Sequence, residues 1–126
     1  LGMPADEIAT VCSAIGNHDE STAFPVNAVA AALILADKTD VRRTRVRNRD
    51  KATFDIHDRV NYAVEKASTT LDAAGKAVVL DLQLDTGMSP VIDYFEIFLE
   101  RMLLCRKAAE KLGLSFRLVV NGQTVL

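Results

Sequence analysis

The chain has 126 residues, of which 49% are hydrophobic, and it carries 15 Lys and Arg against 17 Asp and Glu. A single domain of this size buries roughly two-thirds of the surface of its unfolded chain, which is enough for a hydrophobic core. The composition excludes a disordered acidic chain, a collagen-like repeat and a Pro/Gly-rich linker. Two distant cysteines, Cys12 and Cys105, exclude a disulfide scaffold or a zinc cluster.

The sequence shows no signal for a membrane. The longest apolar run, residues 28–36, is about half of the length that a membrane-spanning helix needs. No signal-peptide pattern opens the chain, so we expect a cytoplasmic protein. The chain begins with Leu1 rather than Met, which suggests a trimmed or partial polypeptide.

The first half of the sequence predicts two helices. Pro4 suits the first turn of a helix, and Gly16 offers a stop at its C-terminus. Between them, apolar residues recur at helical spacing at Ile8, Val11, Cys12 and Ile15. Pro25 predicts the start of a second helix that reaches about Arg47. The apolar stripe of this helix contains Val26, Ala30, Leu33, position 37 and Val41.

The second half predicts strands around one long helix. Residues 60–71 fit a helix or a strand, and their β-branched residues favour a strand in the later part. The remaining predicted elements are a turn at 73–76, an alternating strand at 77–85, a helix of about 23 residues from Ser89-Pro90 to Gly113, a strand at 114–120 and a type I′ turn at Asn121-Gly122.

These elements predict an α+β fold with two parts. Residues 1–52 form the N-terminal helices, and residues 53–126 form a small β-β-α-β-β domain. The long helix of this domain carries a heptad seam of Val91, Phe95, Phe98, Met102, Cys105, Ala109 and Leu112. The seam either covers the sheet of its own chain or, in part, builds a homodimer interface. We expect a homo-oligomer.

Positive charge is concentrated in residues 41–51, which carry six basic residues and one acidic residue. This segment therefore has a charge of +5, which leaves −7 for the rest of the chain. Clustered arginines suit a phosphate group or an acidic partner, and they also suit a solvated helix end. We expect no nucleic-acid binding, because the chain is acidic overall and no aromatic residues alternate with the arginines. RNA binding would show a strong dependence on salt.

Asp37 is the most informative single residue. It falls on the predicted apolar stripe of the second helix, where Leu33 and Val41 carry no charge and Asp40 repeats its negative charge. A carboxylate at a buried position costs several kcal/mol unless it is neutralised or paired. We therefore expect compensation from outside this helix, by a cation of another helix, a divalent metal or a solvent-filled cleft.

His18 is a second candidate metal ligand, because a neutral imidazole binds first-row metals and an adjacent carboxylate such as Asp19 can orient its ring. A single His in a polar loop is also compatible with simple exposure to solvent. A catalytic metal centre needs about three protein ligands. His18 and Asp37 are therefore a partial set.

Residues 15–20 (IGNHDE) and 31–43 (AALILADKTDVRR) resemble the closing part of the HD-domain metal-dependent phosphohydrolases. The Arg-rich continuation and the C-terminal α+β segment resemble the tail of an uncharacterised bacterial subgroup of this family. In that family, a late Ala-Asp-Lys turn in an all-helical domain supplies the final metal ligand. The resemblance implies that Asp37 is this ligand and that His18 is an auxiliary His. It also implies that Lys38 and Arg42 lie near the phosphate of a small phosphorylated substrate.

The early His and the His-Asp pair that define the family have no counterpart here. The resemblance therefore implies the C-terminal portion of such an enzyme or a diverged member, inactive without the missing segment. In a complete site, Mn²⁺, Mg²⁺ or Fe²⁺ would activate a water molecule, and the basic side chains would offset charge on the phosphate. The alternative is a non-catalytic module that dimerises through the long helix and its sheet.

Overall fold

A computed structural model describes residues 2–19, 23–41, 55–87 and 91–126 of the chain. The predicted α+β class is confirmed, and so is the β-β-α-β-β order of the second half. A short third helix was not predicted. The elements in chain order are α1 (Ala5–Gly16), α2 (Ala28–Lys38), α3 (Ile56–Tyr62), β1 (Val64–Asp72), β2 (Ala77–Leu84), α4 (Val91–Lys111), β3 (Ser115–Val120) and β4 (Gln123–Thr124).

The four strands form one mixed sheet in the order β1-β2-β3-β4. β1 pairs with β2 antiparallel, β2 with β3 parallel, and β3 with β4 antiparallel. A parallel pair needs a crossover connection, and α4 provides it between β2 and β3. The turn between β3 and β4 has positive φ angles at Asn121 and Gly122, as a type I′ turn requires.

One face of the sheet forms the core. In β2, Val78, Leu80, Leu82 and Leu84 are buried, whereas Asp81 and Gln83 on the opposite face are exposed. The predicted alternation is therefore confirmed. α4 packs against this apolar face through contacts with β2 and β3.

The face that α4 buries matches the predicted seam only in part. Its buried residues are Tyr94, Phe98, Met102, Cys105, Ala108 and Ala109. Val91, Phe95 and Leu112 of the predicted seam are partly buried at the margin of the core. Gly113 has a φ of 74°, which favours glycine and ends the helix where the sequence predicts. The predicted cap at Ser89 lies outside the described residues.

α2 starts at Ala28 rather than at Pro25, three residues later than the sequence predicts. The Asn27 side chain accepts a hydrogen bond from the backbone N–H of Ala30 at 2.8 Å. An Asn in this position satisfies one of the free N–H groups of the first turn and fixes the start of the helix.

The predicted extension of the second helix to about Arg47 is wrong as far as the structure describes it. α2 ends at Lys38, and the hydroxyl of the next residue, Thr39, donates a hydrogen bond to a carbonyl one turn earlier at 2.7 Å. Val41 already lies outside the helix and is fully buried. Positions 42–47 lie outside the described residues.

α2 packs against α4, and α1 packs against α2. Ile34, Leu35 and Val41 share one apolar core with residues of the sheet such as Leu80. The predicted boundary at residues 52–53 lies outside the described residues and stays a prediction. In the described part of the chain, no helix is both long enough and apolar enough to cross a bilayer.

Candidate functional site

Asp37 does not lie on the buried face of α2, so its predicted place on a core-facing stripe is wrong. Its side chain keeps 34% of its surface exposed. Every residue from Ala28 to Ala36 is apolar, so spacing alone does not define which face of the helix is buried. Packing against α4 decides the face instead. The buried residues of α2 are Ala30, Ala31, Ile34, Leu35 and Lys38.

Lys38 supplies the positive charge next to Asp37. Its Nζ atom lies 2.6 Å from Oδ2 of Asp37. The Lys38 side chain is only 8% exposed, so its methylene groups are buried while the ammonium group reaches the half-buried carboxylate. The expectation that no cation of its own helix compensates Asp37 is therefore wrong, because the neighbouring residue does so.

His18 follows the last turn of α1 and is half-buried. The Nδ1 atom of its ring makes a short hydrogen bond to the carbonyl oxygen of Ile15. Since a carbonyl oxygen only accepts, Nδ1 donates this hydrogen bond, and Nε2 is the ring nitrogen that takes no part in it. Metal-binding histidines commonly have this orientation, with one ring N–H on a backbone carbonyl and the other nitrogen toward the metal.

The donor set is incomplete in the part of the chain that the structure describes. His18 and Asp37 are suitable ligand types, but the described residues hold no group of three or more His, Cys, Asp or Glu side chains placed for a metal ion. These residues therefore do not complete a catalytic centre. Arg42 lies outside the described residues. A role of Arg42 or Lys38 toward a phosphate stays a prediction.

The apolar stripe of α1 is exposed, which the sequence analysis did not foresee. Among the residues of α1, only Ala14 is buried. Ile8 is 46% exposed, Val11 39% and Ile15 56%. The helical spacing of these residues is visible in the sequence, but their exposure depends on where α2 packs, which spacing does not give. The uncovered stripe is wide enough to receive another helix.

Comparison with protein-family models, with curated proteins and with solved structures finds no match for this chain. The likeness of residues 15–20 and 31–43 to the HD-domain phosphohydrolases therefore rests on their sequence motif alone. The geometry of His18 and Asp37 is the structural information that bears on it.

Proposed function

We propose that this chain is the C-terminal portion, or a diverged member, of an HD-domain metal-dependent phosphohydrolase. It contributes Asp37 and His18 to a site that hydrolyses a phosphate ester of a small substrate. The early His and the His-Asp pair come from a further helical segment. The chain alone has no hydrolase activity, because two ligands do not hold a catalytic metal in place.

The observation that carries the proposal is the orientation of His18. The carbonyl of Ile15 accepts a hydrogen bond from Nδ1, so Nε2 is the ring nitrogen that we propose as the metal ligand. The partial exposure of Asp37 also supports it, because a ligand must be reachable by an ion. Lys38 orients this carboxylate from the buried side of α2.

The exposed stripe of α1 supports the same proposal. An all-helical domain buries the apolar face of each helix against others. Ile8, Val11 and Ile15 lack such cover among the described residues. A further helical segment that completes the metal site would also bury this stripe.

Metal binding by the 126-residue chain tests the proposal. We expect weak binding of Mn²⁺, measured as loss of the free-ion electron paramagnetic resonance signal. We expect Asp37→Asn and His18→Gln each to weaken it by roughly tenfold, as the loss of a metal-site partner typically does. Asp81→Asn, which changes an exposed carboxylate of the sheet, is the matched control. Equal binding by all four proteins would refute the proposal.

The alternative, a non-catalytic interaction module, is favoured by two exposed residues of α4. Ile92 is 70% exposed and Leu99 is 45% exposed. The two residues are seven positions apart, which is about two helical turns, so they lie on the same side of the helix. Phe98 cannot test this surface, because it is 4% exposed and its ring contacts that of Tyr94 in a tilted arrangement, with 5.0 Å between the ring centroids. Leu99→Asp would abolish self-association through α4 and leave metal binding unchanged.

A further inference from the structure

β1 is an edge strand with an open side. It forms hydrogen bonds with β2, and no other described strand pairs with it. It has nine residues, whereas β4 at the opposite edge has two. A row of backbone N–H and C=O groups that no other described strand pairs with is a template for another strand. β1 contains no proline, and Ala67, Thr69 and Leu71 on its core-facing side carry no charge. The protection that β1 does carry, a register shift between Val64 and Lys66 and the charged Glu65 and Lys66, lies at its N-terminal end and leaves residues 67–72 regular.

The helices leave the core-facing side of β1 partly uncovered. Leu71 lies opposite Val78 in the sheet, so both side chains project from the same face. Val78 is 7% exposed, but Leu71 is 66% exposed. Beside it lies a groove of about 390 Å³ between α2 and β1, lined by Leu35, Ala36, Thr39, Asp40, Ala67 and Thr69. Leu71 and this groove together form a partly apolar surface that another chain can cover.

We propose that β1 of a second copy of this chain occupies this edge, paired antiparallel about Thr69. A two-fold axis at Thr69 places Lys66 opposite Asp72 of the second copy. It also places Ala67 opposite Leu71 of the second copy. Symmetry repeats each of these pairs, so the interface gains two ion pairs and two apolar pairs. The two sheets join into one continuous sheet of eight strands.

The pairs fit the faces on which their residues lie. Ala67 and Leu71 are on the core-facing side, so each Leu71 enters the groove beside Ala67 of the other copy. Lys66 and Asp72 are on the opposite, polar side. Asp72 already accepts a hydrogen bond from the backbone N–H of Gly75 at 3.0 Å. A carboxylate has further acceptor positions for the Lys66 ammonium.

Pairing centred on Thr69 brings together more favourable residue pairs than pairing centred on an adjacent residue. A centre at Ser68 places Leu71 opposite the charged Glu65, and a centre at Thr70 removes Lys66 from Asp72. A centre between two residues puts the helices of the two copies on opposite faces of the sheet. Only the centre at Thr69 joins opposite charges on one face and apolar residues on the other. The interface uses no residue of the proposed metal site and does not depend on it.

Disulfide trapping tests the register. The Cys12→Ala background leaves the buried Cys105 as the native thiol. In this background, Thr69→Cys places the new cysteines of the two copies opposite each other at the two-fold axis. Directly opposite residues have Cβ atoms about 5 Å apart, close enough for a disulfide after a small adjustment. We expect a covalent dimer under mild oxidation. Thr70→Cys, on the same exposed strand, is the control, and equal trapping of both would overturn the register.

A charge exchange tests the interface itself by sedimentation equilibrium. Lys66→Asp alone places like charges opposite each other, and so does Asp72→Lys alone. Each is expected to raise the dimer Kd by roughly tenfold. An equimolar mixture of the two variants restores both attractive pairs, and we expect heterodimers at the wild-type affinity. Circular dichroism of each variant confirms that it is folded.

Two results would overturn the proposal. One is a wild-type chain that stays monomeric at high micromolar concentration. The other is a mixture that associates no better than its components. Leu71→Lys should dissociate the dimer, whereas Ile92→Lys on the exposed side of α4 should not. The reverse result would also contradict pairing through β1.

Discussion

At the scale of single residues, Tyr94 is the least satisfied buried group. Its side chain is 1% exposed, and its hydroxyl has no hydrogen-bond partner among the described residues. A buried polar atom without a partner costs about 1–3 kcal/mol. We expect Tyr94→Phe to keep the ring packing against Phe98 and to raise the free energy of unfolding at neutral pH by about 1 kcal/mol. Urea denaturation measures this, and a loss of similar size would show that the hydroxyl is satisfied.

Because the Tyr94 hydroxyl is buried, we expect the protein to lose stability at high pH. Burial raises the pKa of Tyr94 well above its ordinary value of 10.0, and the positive charge of Arg101 opposes this only in part. Above pH 10 the unfolded chain releases this proton while the folded chain retains it. The free energy of unfolding therefore falls as the pH rises through this range, by up to about 1.4 kcal/mol per pH unit.

Tyr94→Phe is expected to remove this part of the alkaline loss, whereas Tyr62→Phe is the tyrosine control. Urea denaturation at pH 8 and at pH 11 compares the two variants with the wild type. An alkaline loss that is the same in Tyr94→Phe and in the wild type would contradict the assignment to Tyr94.

At the scale of elements, Asn121 connects two strands. Its Oδ1 accepts a hydrogen bond from the backbone N–H of Leu84 at 2.7 Å, and its Nδ2 donates to the carbonyl of Leu84 at 3.3 Å. Its φ of 49° also suits Asn or Gly better than other residues. The side chain therefore joins the end of β2 to the turn that follows β3.

We expect Asn121→Ala to lower the free energy of unfolding by about 2–3 kcal/mol, because it removes both hydrogen bonds and strains the backbone. Asn121→Gly should lose about 1 kcal/mol less, since it keeps the favourable backbone conformation. Thermal unfolding of the wild type and of both variants measures the two losses in the free energy of unfolding. Equal losses would show that the backbone angle contributes nothing here.

The elements differ in how well the sequence predicts them. β2 was predicted because Leu80, Leu82 and Leu84 alternate with the polar residues Asp81, Gln83 and Asp85, and this period of two is typical of a strand. The buried face of α2 was not predicted, because apolar residues lie on all sides of this helix and packing against α4 decides which side is buried. α3 had a signal that was missed: Asp55 caps it by accepting from the backbone N–H of Asp58 at 2.8 Å.

The sequence proposes the residues of the candidate site but does not give their geometry. The ion pair between Asp37 and Lys38 joins adjacent residues, which do not face each other on an ideal helix. The long Lys38 side chain overcomes this separation. The contact of His18 with Ile15 follows from how the chain leaves α1, which no local sequence pattern specifies.

At the scale of the whole molecule, the described residues form one core, and we assign two of the exposed apolar regions at its margins to partners. The stripe of α1 accepts a helical segment in our proposal, and the edge of β1 accepts a second copy. Asp37 and Leu71 lie on different elements, so substitutions of these two residues test metal binding and self-association separately. Asp37→Asn should leave the dimer intact, and Leu71→Lys should leave metal binding intact.

The most direct test of the central claim is whether His18 and Asp37 respond to the same metal ion. In a ¹H–¹⁵N nuclear magnetic resonance titration, substoichiometric Mn²⁺ broadens signals close to its binding site. The account predicts that the His18 imidazole and the Asp37 and Lys38 amides broaden together, before those of other acidic residues. Broadening that begins at Asp6 and Glu7, with His18 and Asp37 unaffected, would contradict it.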